Sequence, residues 1–131
     1  MDIDLPEVVA ELRDAFARYE QAIVTNDVAT LDALFRDDAR TIRYGATENL
    51  YGYGEIAAFR AARSPARLER GMSRTVITTF GTHFGVASTL FERASAPGRI
   101  GRQMQTWVKF PEGWQVVAAH VSLMDRPGGA P

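Results

Sequence analysis

The fold of this chain is decided by residues 72–124, which read MSRTVITTFGTHFGVASTLFERASAPGRIGRQMQTWVKFPEGWQVVAAHVSLM. β-Branched and aromatic residues are concentrated in four runs within this stretch, and glycine or proline separates each run from the next. The four runs are residues 75–80, 84–93, 100–110 and 114–124. Consecutive runs joined by short turns predict an antiparallel meander.

The residues before this sheet predict helices. Leu12, Phe16, Tyr19 and Ile23 recur at spacings of four, three and four, which is the period of an amphipathic helix over residues 5–25. A second, short helix is expected after the polar break that follows. Because the connection is short, the two helices are expected to form a hairpin.

Capping residues mark the start of both helices. We expect Asp4 to cap the first helix, with Glu7 reaching back and Pro6 in the first turn. Asp27 is expected to cap the second helix. The second helix is predicted to bury Leu31, Leu34 and Phe35.

Two short strands and a third helix lie between the hairpin and the meander. Residues 40–44 and 49–52 have strand-like composition, and Gly45 turns the chain between them. Residues 54–63 predict a helix that ends before Pro65, because the residue ahead of a proline is pushed out of the helical region.

Helices followed by a long meander describe an α+β fold. We expect three N-terminal helices packed on a strongly curved, mostly antiparallel sheet that encloses a pocket. One domain is predicted over residues 1–126. Residues 127–131 contain mainly Gly and Pro and are predicted to form a flexible tail.

Composition excludes several classes of protein. The chain has 131 residues, 46% hydrophobic and 24% charged, which is typical of one soluble domain. A formal charge of -1 gives no field to attract nucleic acid or an acidic membrane. Cysteine is absent, which excludes disulfides and thiol nucleophiles. The acidic start is unlike a signal peptide and no stretch approaches ~18 apolar residues, so we expect a cytoplasmic protein without a membrane segment.

Metal and cofactor sites are not expected. The two histidines, His83 and His120, are too few for a His-rich metal site, and neither stands at ligand spacing from a second ligand. Residues 52–57 match the dinucleotide-binding fingerprint in form. That fingerprint requires a parallel βαβ unit, whereas an antiparallel meander follows here, so we predict neither a metal nor a cofactor.

Tyr19 and Arg43 each have two interpretations. Tyr19 lies on the apolar stripe of the first helix, so it is either a core tyrosine bonded to a backbone carbonyl or a proton-donating phenol in the pocket. Arg43 lies on the opposite face of its strand from Ile42 and Tyr44. It is either a solvated edge residue or an inward guanidinium that holds a substrate carboxylate through two parallel hydrogen bonds.

Further candidates lie on the last two strands. Gln103, Gln105 and Trp107 share one face, where two amides would suit a substrate with carbonyl and amide groups. The alternative is a polar outer face with cross-strand amide pairs. Strict alternation places His120 on the face of Trp114, so it is either a general base in the pocket or a satisfied core histidine.

Other polar residues near the predicted pocket are secondary candidates. Glu48 and Asn49 follow Arg43 in a loop, where polar residues are ordinary. Arg74 opens a strand and could reach the mouth of the pocket. A solvated face is the interpretation for the arginines of the third helix and the loop after it, Arg60, Arg63 and Arg67.

Three segments resemble a known superfamily. They are ARYEQA at residues 17–22, DVATLDALF at residues 27–35 and GWQVVAAHVS at residues 113–122. These segments are similar to the SnoaL-like, or nuclear-transport-factor-two-like, superfamily of cone-shaped α+β domains. The superfamily contains isomerases, dehydratases, cyclases and non-catalytic association modules, so the resemblance indicates a fold more than a function.

A narrower resemblance concerns three other segments: TIRYGATENLYG at residues 41–52, TFG at residues 79–81 and GRQMQTW at residues 101–107. They resemble the AtzH-like family, which includes the HpxZ proteins associated with oxalurate catabolism. Met104 departs from the family pattern, where a small polar residue is expected.

The AtzH-like resemblance implies an amidase-type, decarboxylating step that converts 1,3-dicarboxyurea to allophanate. It implies a functional pair made of a tyrosine in the first helix and an arginine in the first short strand, which match Tyr19 and Arg43. In this hypothesis Arg43 binds and orients a small anionic urea or amide, and Tyr19 is the general acid. The substrate-binding candidates are Glu48, Asn49, Arg74, Gln103, Gln105, Trp107 and His120.

Two other functions remain open. Members of the family accompany amidases, so the resemblance implies a functional link to an amidase, and a non-catalytic ligand-binding or accessory subunit is one alternative. The other is a SnoaL-like isomerase or cyclase, which would need an inward carboxylate. Domains of this superfamily often dimerise through the open face of the sheet, so we expect a homodimer.

Overall fold

A computed structural model describes residues 1–64 and 69–128 and shows three helices packed on a curved six-stranded sheet that does not close. The predicted α+β class is confirmed. The helices are α1 (Pro6–Thr25), α2 (Val28–Leu34) and α3 (Tyr53–Ala62). The strands are β1 (Ile42–Tyr44), β2 (Asn49–Tyr51), β3 (Gly71–Phe80), β4 (Phe84–Glu92), β5 (Arg99–Phe110) and β6 (Gly113–Asp125).

The strand order is β2-β1-β6-β5-β4-β3, and every neighbouring pair is antiparallel except β1 with β6. The meander predicted for residues 72–124 is therefore confirmed. The parallel pairing of β1 with β6 was not predicted, and it sets Arg43 opposite Ala119. A residue of the short first strand thus joins the inner face of the meander.

The two helix caps have different outcomes. Asp27 caps α2 as predicted, because its carboxylate accepts the backbone N–H of Thr30 at 3.1 Å and the Thr30 hydroxyl at 2.7 Å. The prediction for Asp4 is wrong, since the N-cap of α1 is Leu5 and no side chain caps it. Asp4 instead bonds to β3: its carboxylate accepts the Thr79 N–H at 2.9 Å, and its own N–H donates to the Thr79 carbonyl at 3.0 Å.

A β-bulge divides β6 into two halves that alternate in opposite phase. Trp107 pairs with Val116 and Thr106 pairs with Ala118, so Val117 is an extra residue in β6. Before the bulge Trp114 and Val116 are buried against the helices, and after it Ala119 takes the inner face. His120 is therefore on the outer, convex face, and the prediction that it shares a face with Trp114 is wrong.

The core lies between the helices and the inner face of the sheet. Leu12, Phe16 and Tyr19 on α1 and Leu31 on α2 are buried, as the period of the helices predicts. Gly85 of β4 allows α1 to approach closely, because a Cβ atom there would overlap Leu12 Cδ2 and lie 3.1 Å from the Thr78 carbonyl oxygen. The contact between α1 and the sheet thus requires glycine at this position.

Two sequence predictions fall outside the part of the chain that the structure describes. Arg67 is one of them, and residues 129–131 of the predicted tail are the other. Of the helices seen in residues 1–64 and 69–128, none combines the length and apolarity needed to cross a membrane.

We predict that Gly85→Ala destabilises the protein by about 1–3 kcal/mol, because Leu12 is fully buried and cannot move away from the added methyl group. The measurement is the free energy of unfolding from urea denaturation. Gly54→Ala is the matched control, since Gly54 is helical and an alanine Cβ there would have no atom within 4 Å. It should stabilise by up to about 1 kcal/mol. Equal effects of the two substitutions would contradict the close approach.

Candidate functional site

Arg43 is directed to the inner face of the sheet, as the second of its two interpretations requires. Its row across the sheet continues through Ala119 of β6 and Gln105 of β5 to Ala87 of β4. Neighbouring strands are ~4.8 Å apart, so Arg43 and Gln105 are separated by roughly 10 Å, with a small alanine between them. A guanidinium and an amide therefore lie on one row of the sheet, on the side that faces the helices.

Tyr19 of α1 faces this row. Its side chain is 2% exposed and its ring lies 6.4 Å from the Trp107 ring, edge to face, and 6.2 Å from the Phe35 ring. Its hydroxyl makes no hydrogen bond to any described residue. A core tyrosine would bond a backbone carbonyl, so the contacts of Tyr19 favour the interpretation as a phenol within the site.

Five arginines surround the Tyr19 region, and we call them the arginine cluster. They come from four parts of the chain: β1, α3, the segment before β3 and the end of β4. The pKa values of three of them, Arg60, Arg63 and Arg93, are affected by the charges of other members and by Tyr19. The members are Arg43, Arg60, Arg63, Arg70 and Arg93.

Two members of the arginine cluster have buried side chains and a carboxylate partner each. Arg70 donates from Nη2 to Glu20 Oε1 at 2.5 Å and to Gln103 Oε1 at 2.9 Å, and it is nearly inaccessible to solvent. Arg60 donates to Asp32 Oδ1 at 2.7 Å and lies 4.3 Å above the Phe35 ring. Both arrangements compensate a guanidinium that has lost most of its hydration.

Arg43 is held by Glu48. Its Nη1 donates to Glu48 Oε1 at 2.9 Å, and both side chains are mostly buried. Burial raises the pKa of Glu48, but hydrogen bonds from the Thr47 hydroxyl and Arg43, with the positive charge of Arg43, outweigh it and hold the pKa below its usual range. Only Nη1 of Arg43 is used among the described residues, so its other N–H groups are available to a ligand.

Arg63 and Arg93 have no carboxylate partner among the described residues. The Nε and Nη2 atoms of Arg63 and the Nε atom of Arg93 are buried without a hydrogen-bond acceptor. Burial is the largest cause that lowers the pKa of both groups, and the positive charge of Arg43 lowers it further. Tyr19 opposes the lowering in both cases. The arginine cluster thus keeps two uncompensated positive charges.

The three inward residues of β5 are buried, as their pocket interpretation requires. Gln103 donates from Nε2 to Glu20 Oε1 at 3.1 Å and so belongs to the Glu20–Arg70 network. Trp107 donates from Nε1 to Gln105 Oε1 at 3.0 Å. Gln105 is 1% exposed and its Nε2 has no acceptor, which leaves a buried amide donor on the same row as Arg43.

Three of the predicted site residues are not brought to this region. His120 is exposed on the convex face, where its ring lies 6.1 Å from the Tyr44 ring. Asn49 is exposed and pairs with Tyr44, so it is also on that face. Arg74 lies at a bulge in β3 with φ +52°, and it lines a convex-face groove with Val76. Bulges in β3 and β6 account for two of these differences, since each changes which side chains face inward.

Sequence reasoning missed most of the arginine cluster. Arg60 and Arg63 follow the buried Ile56 by four and seven residues, which places them on the inner face of α3 rather than on the solvated face predicted. Arg93 continues the alternation of Thr89 and Phe91, both buried. The periodicity is present for each and could have found them, but the charge of an arginine favours an exposed position when a sequence is considered alone.

Solvent reaches one side of the arginine cluster through a groove between α1 and β3. The groove has a volume of ≈ 490 Å³ and its lining includes Phe16, Glu20, Arg70 and Thr75. Within the described ranges, no group of three or more His, Cys, Asp or Glu side chains is placed to hold a metal ion. The chemistry available here is that of guanidinium groups, amides and one phenol.

A family model described as AtzH-like matches residues 1–127. Among solved structures, a protein of unknown function from Pectobacterium atrosepticum is 58% identical, with a TM-score of 0.92, over 95% of this chain and 96% of that one. A cystatin-like fold protein from Burkholderia xenovorans is 44% identical, with a TM-score of 0.93, over 97% and 99% of the two chains.

A more distant structure shows how general the fold is. A nuclear-transport-factor-two-like superfamily protein from Salmonella enterica is 22% identical, with a TM-score of 0.71, over 92% of this chain and 93% of that one. No curated protein matches the chain. These likenesses confirm the predicted superfamily fold, and they leave the chemistry to be argued from the site.

We predict that Glu48→Gln lowers the free energy of unfolding at pH 7 and that this difference fades in acid. The pKa of Glu48 is lowered by folding, so its ionised form contributes stability above the unfolded-state value of about 4.3. That contribution is lost as the pH falls through the lowered folded-state value. Urea denaturation from pH 7 to pH 3 measures it.

The control for this prediction is Glu7→Gln, a substitution at an exposed carboxylate in the first turn of α1. Its effect on stability should be small at every pH. A Glu48→Gln difference that stayed constant from pH 7 to pH 3 would contradict the role of the Arg43–Glu48 pair.

Proposed function

Because the chain belongs to the AtzH-like family, we propose that it is a cofactor-independent decarboxylating amidohydrolase that acts on an N-carboxylated urea, of the type that converts 1,3-dicarboxyurea to allophanate. The observation that carries this proposal is the position of Tyr19. Its phenol is buried, makes no hydrogen bond to a described residue and lies among the guanidinium groups of the arginine cluster. A proton donor beside positive charge is suited to an anionic substrate that must be protonated.

The reaction is balanced by one proton. In 1,3-dicarboxyurea each terminal carboxylate is attached to a urea nitrogen. The bond between one nitrogen and its carboxylate carbon breaks, its electron pair stays on nitrogen, and carbon dioxide leaves. Tyr19 gives its proton to that nitrogen, and solvent returns a proton to the phenolate. The dianion and one proton thus become the allophanate monoanion and carbon dioxide.

Three side chains have roles in this scheme. Arg43, fixed through Nη1 by Glu48, offers its remaining N–H groups to a substrate carboxylate. Gln105 offers its unpartnered Nε2 to the urea carbonyl. The neighbouring guanidinium groups stabilise the negative charge that develops on the Tyr19 oxygen. Positioning and electrostatic stabilisation are therefore supplied by groups already held in place.

An isomerase or cyclase is less well supported by the same geometry. Such chemistry needs an inward carboxylate that is free to accept a proton from carbon. The inward carboxylates Glu20, Glu48 and Asp32 each accept a hydrogen bond from an arginine. A carboxylate held in this way is not free to accept a proton from carbon, so the site favours binding and protonation of an anion.

The test is release of carbon dioxide and allophanate from freshly generated 1,3-dicarboxyurea, with the spontaneous rate subtracted. We expect Tyr19→Phe to lower kcat about 100-fold or more, because it removes the acid and keeps the ring. Arg43→Ala should raise KM and lower kcat, since substrate is neither held nor oriented.

Two substitutions outside the site serve as controls. Tyr51→Phe removes an exposed phenol and Arg102→Ala removes an exposed convex-face guanidinium, and both should retain wild-type turnover. If the wild type released carbon dioxide and allophanate only at the spontaneous rate, the proposed enzymatic activity would be rejected. If the protein then raised the activity of an added partner amidase, the accessory-subunit function would replace it.

We also propose that the protein is a homodimer that associates through the convex face of the sheet. Val76 and Met104 are 56% and 57% exposed there, and Phe84 is 41% exposed. Half-buried Val86 and Thr106 join them into an uncharged patch, and Arg74 and Arg102 lie at its edge. A second copy presents the same uncharged patch about a two-fold axis, so no complementary charge is needed.

Met104→Asp should convert the dimer to a monomer of 14.5 kDa in light scattering after size-exclusion chromatography, because a carboxylate would be desolvated in the interface. Arg18→Asp on the exposed side of α1 adds a carboxylate elsewhere and should leave the dimer intact. A monomeric wild type would overturn the dimer.

A further inference from the structure

In the reaction proposed above, the two uncompensated guanidinium groups have no direct contact with the substrate. Arg43, Arg60 and Arg70 each have a carboxylate partner, whereas Arg63 and Arg93 have none among the described residues. An isolated buried guanidinium is costly, since the loss of hydration is not repaid by a partner charge. Arg63 and Arg93 are half-buried, and the Nε atom of each is buried without an acceptor. Two such groups around one site indicate that an anion supplies the missing charge.

Arg93 is held in place by an aromatic platform. Phe91 is buried, and the guanidinium groups of Arg70 and Arg93 lie 4.4 and 5.1 Å from its ring centroid. A Cβ atom at Gly101 would overlap the Phe91 ring, so glycine at this position lets the ring occupy its place on the inner face. The orientation of Arg93 is thus set by packing and not by an ion pair.

Arg63 approaches the same site from the helix side. It is the C-cap of α3 and follows the buried Arg60 by three residues. Its unpartnered Nε and Nη2 atoms are the two donors that a guanidinium presents side by side to a carboxylate. Arg63 therefore has the geometry for bidentate binding of an anion.

We propose that Arg63 and Arg93 form a second carboxylate-binding subsite, which holds the carboxylate that the substrate keeps while Arg43 holds the one that leaves. The protein then selects dianions with two carboxylates across a three-atom bridge. Two uncompensated positive charges match the two negative charges of such a substrate. The identity of the substrate rests on the proposed function, but the preference for a dianion does not.

The preference can be measured without turnover. Isothermal titration calorimetry at constant ionic strength compares glutarate, which has two carboxylates across three carbon atoms, with butyrate, which has one. We expect glutarate to bind the wild type about tenfold or more tightly, the value of one charge-assisted contact. Arg63→Gln and Arg93→Gln should each bring the ratio of the two affinities close to one and leave butyrate binding within about threefold.

Two further measurements separate binding from structure. Arg102→Gln on the convex face is the matched control and should keep the wild-type ratio. Because Arg63→Gln and Arg93→Gln remove uncompensated charge, they should not lower the Tm of the ligand-free protein. A wild-type ratio retained in both variants would overturn the subsite, as would a loss of Tm in both, which would indicate structural roles.

The subsite and the proposed function fail in distinguishable ways. Selective glutarate binding that depends on Arg63 and Arg93, without carbon dioxide release from 1,3-dicarboxyurea, would reject the reaction and keep the subsite. Catalysed release with no dependence of the glutarate preference on these residues would keep the reaction and reject the subsite.

Discussion

A guanidinium group that leaves water needs acceptors or an anion, and five such groups lie beneath one curved sheet in this protein. The buried polar residues around them follow from that requirement. Glu20 is buried beside Tyr19 because Arg70 requires a carboxylate, and Gln103 bonds to both members of the pair. Glu48 and Asp32 fulfil the same need at Arg43 and Arg60. The interior therefore contains a hydrogen-bonded network of polar side chains in addition to its apolar core.

The compensation is incomplete at the positions where a ligand would bind. Gln105 retains a buried amide donor without an acceptor, and two guanidinium groups lack a carboxylate among the described residues. Each of these features reduces the stability of the empty protein, since a buried polar group without a partner has lost hydration and gained nothing. All of them are donors, so the same anionic molecule with carbonyl oxygens would satisfy them together. In the proposed function, the donors that lower the stability of the ligand-free protein are already positioned to bind the anion.

The fold brings these donors together from distant parts of the chain. The α1 helix supplies Tyr19, and the parallel pairing of β1 with β6 brings Arg43 to the row of Gln105. The α3 helix, the segment before β3 and the end of β4 add the remaining arginines. Ala119, a small residue, lies between Arg43 and Gln105 on this row. Many related domains share this frame, and the side chains lining it distinguish what each one binds.

The sequence by itself determined the elements of the fold, and its family resemblance implied Tyr19 and Arg43 as a functional pair. Hydrophobic period three to four produced α1 with Tyr19 on its buried stripe, and period two in residues 72–124 produced the meander with Gln103, Gln105 and Trp107 on one face. These predictions depend on the periodic direction of side chains along a helix or a strand. That period can be recognised in the sequence without knowing which other segments pack against it.

Only the tertiary structure decided which polar residues share the site. The inward direction of Arg43 depends on the pairing of β1 with β6, which connects residues more than seventy positions apart. The outward directions of His120 and Arg74 follow bulges at Val117 and within β3, where one extra residue reverses the alternation of all that follow. Burial of Arg60 depends on compensation by Asp32, which is distant in the sequence. Pairing, bulges and charge compensation are properties of several segments at once, so no single segment of sequence reveals them.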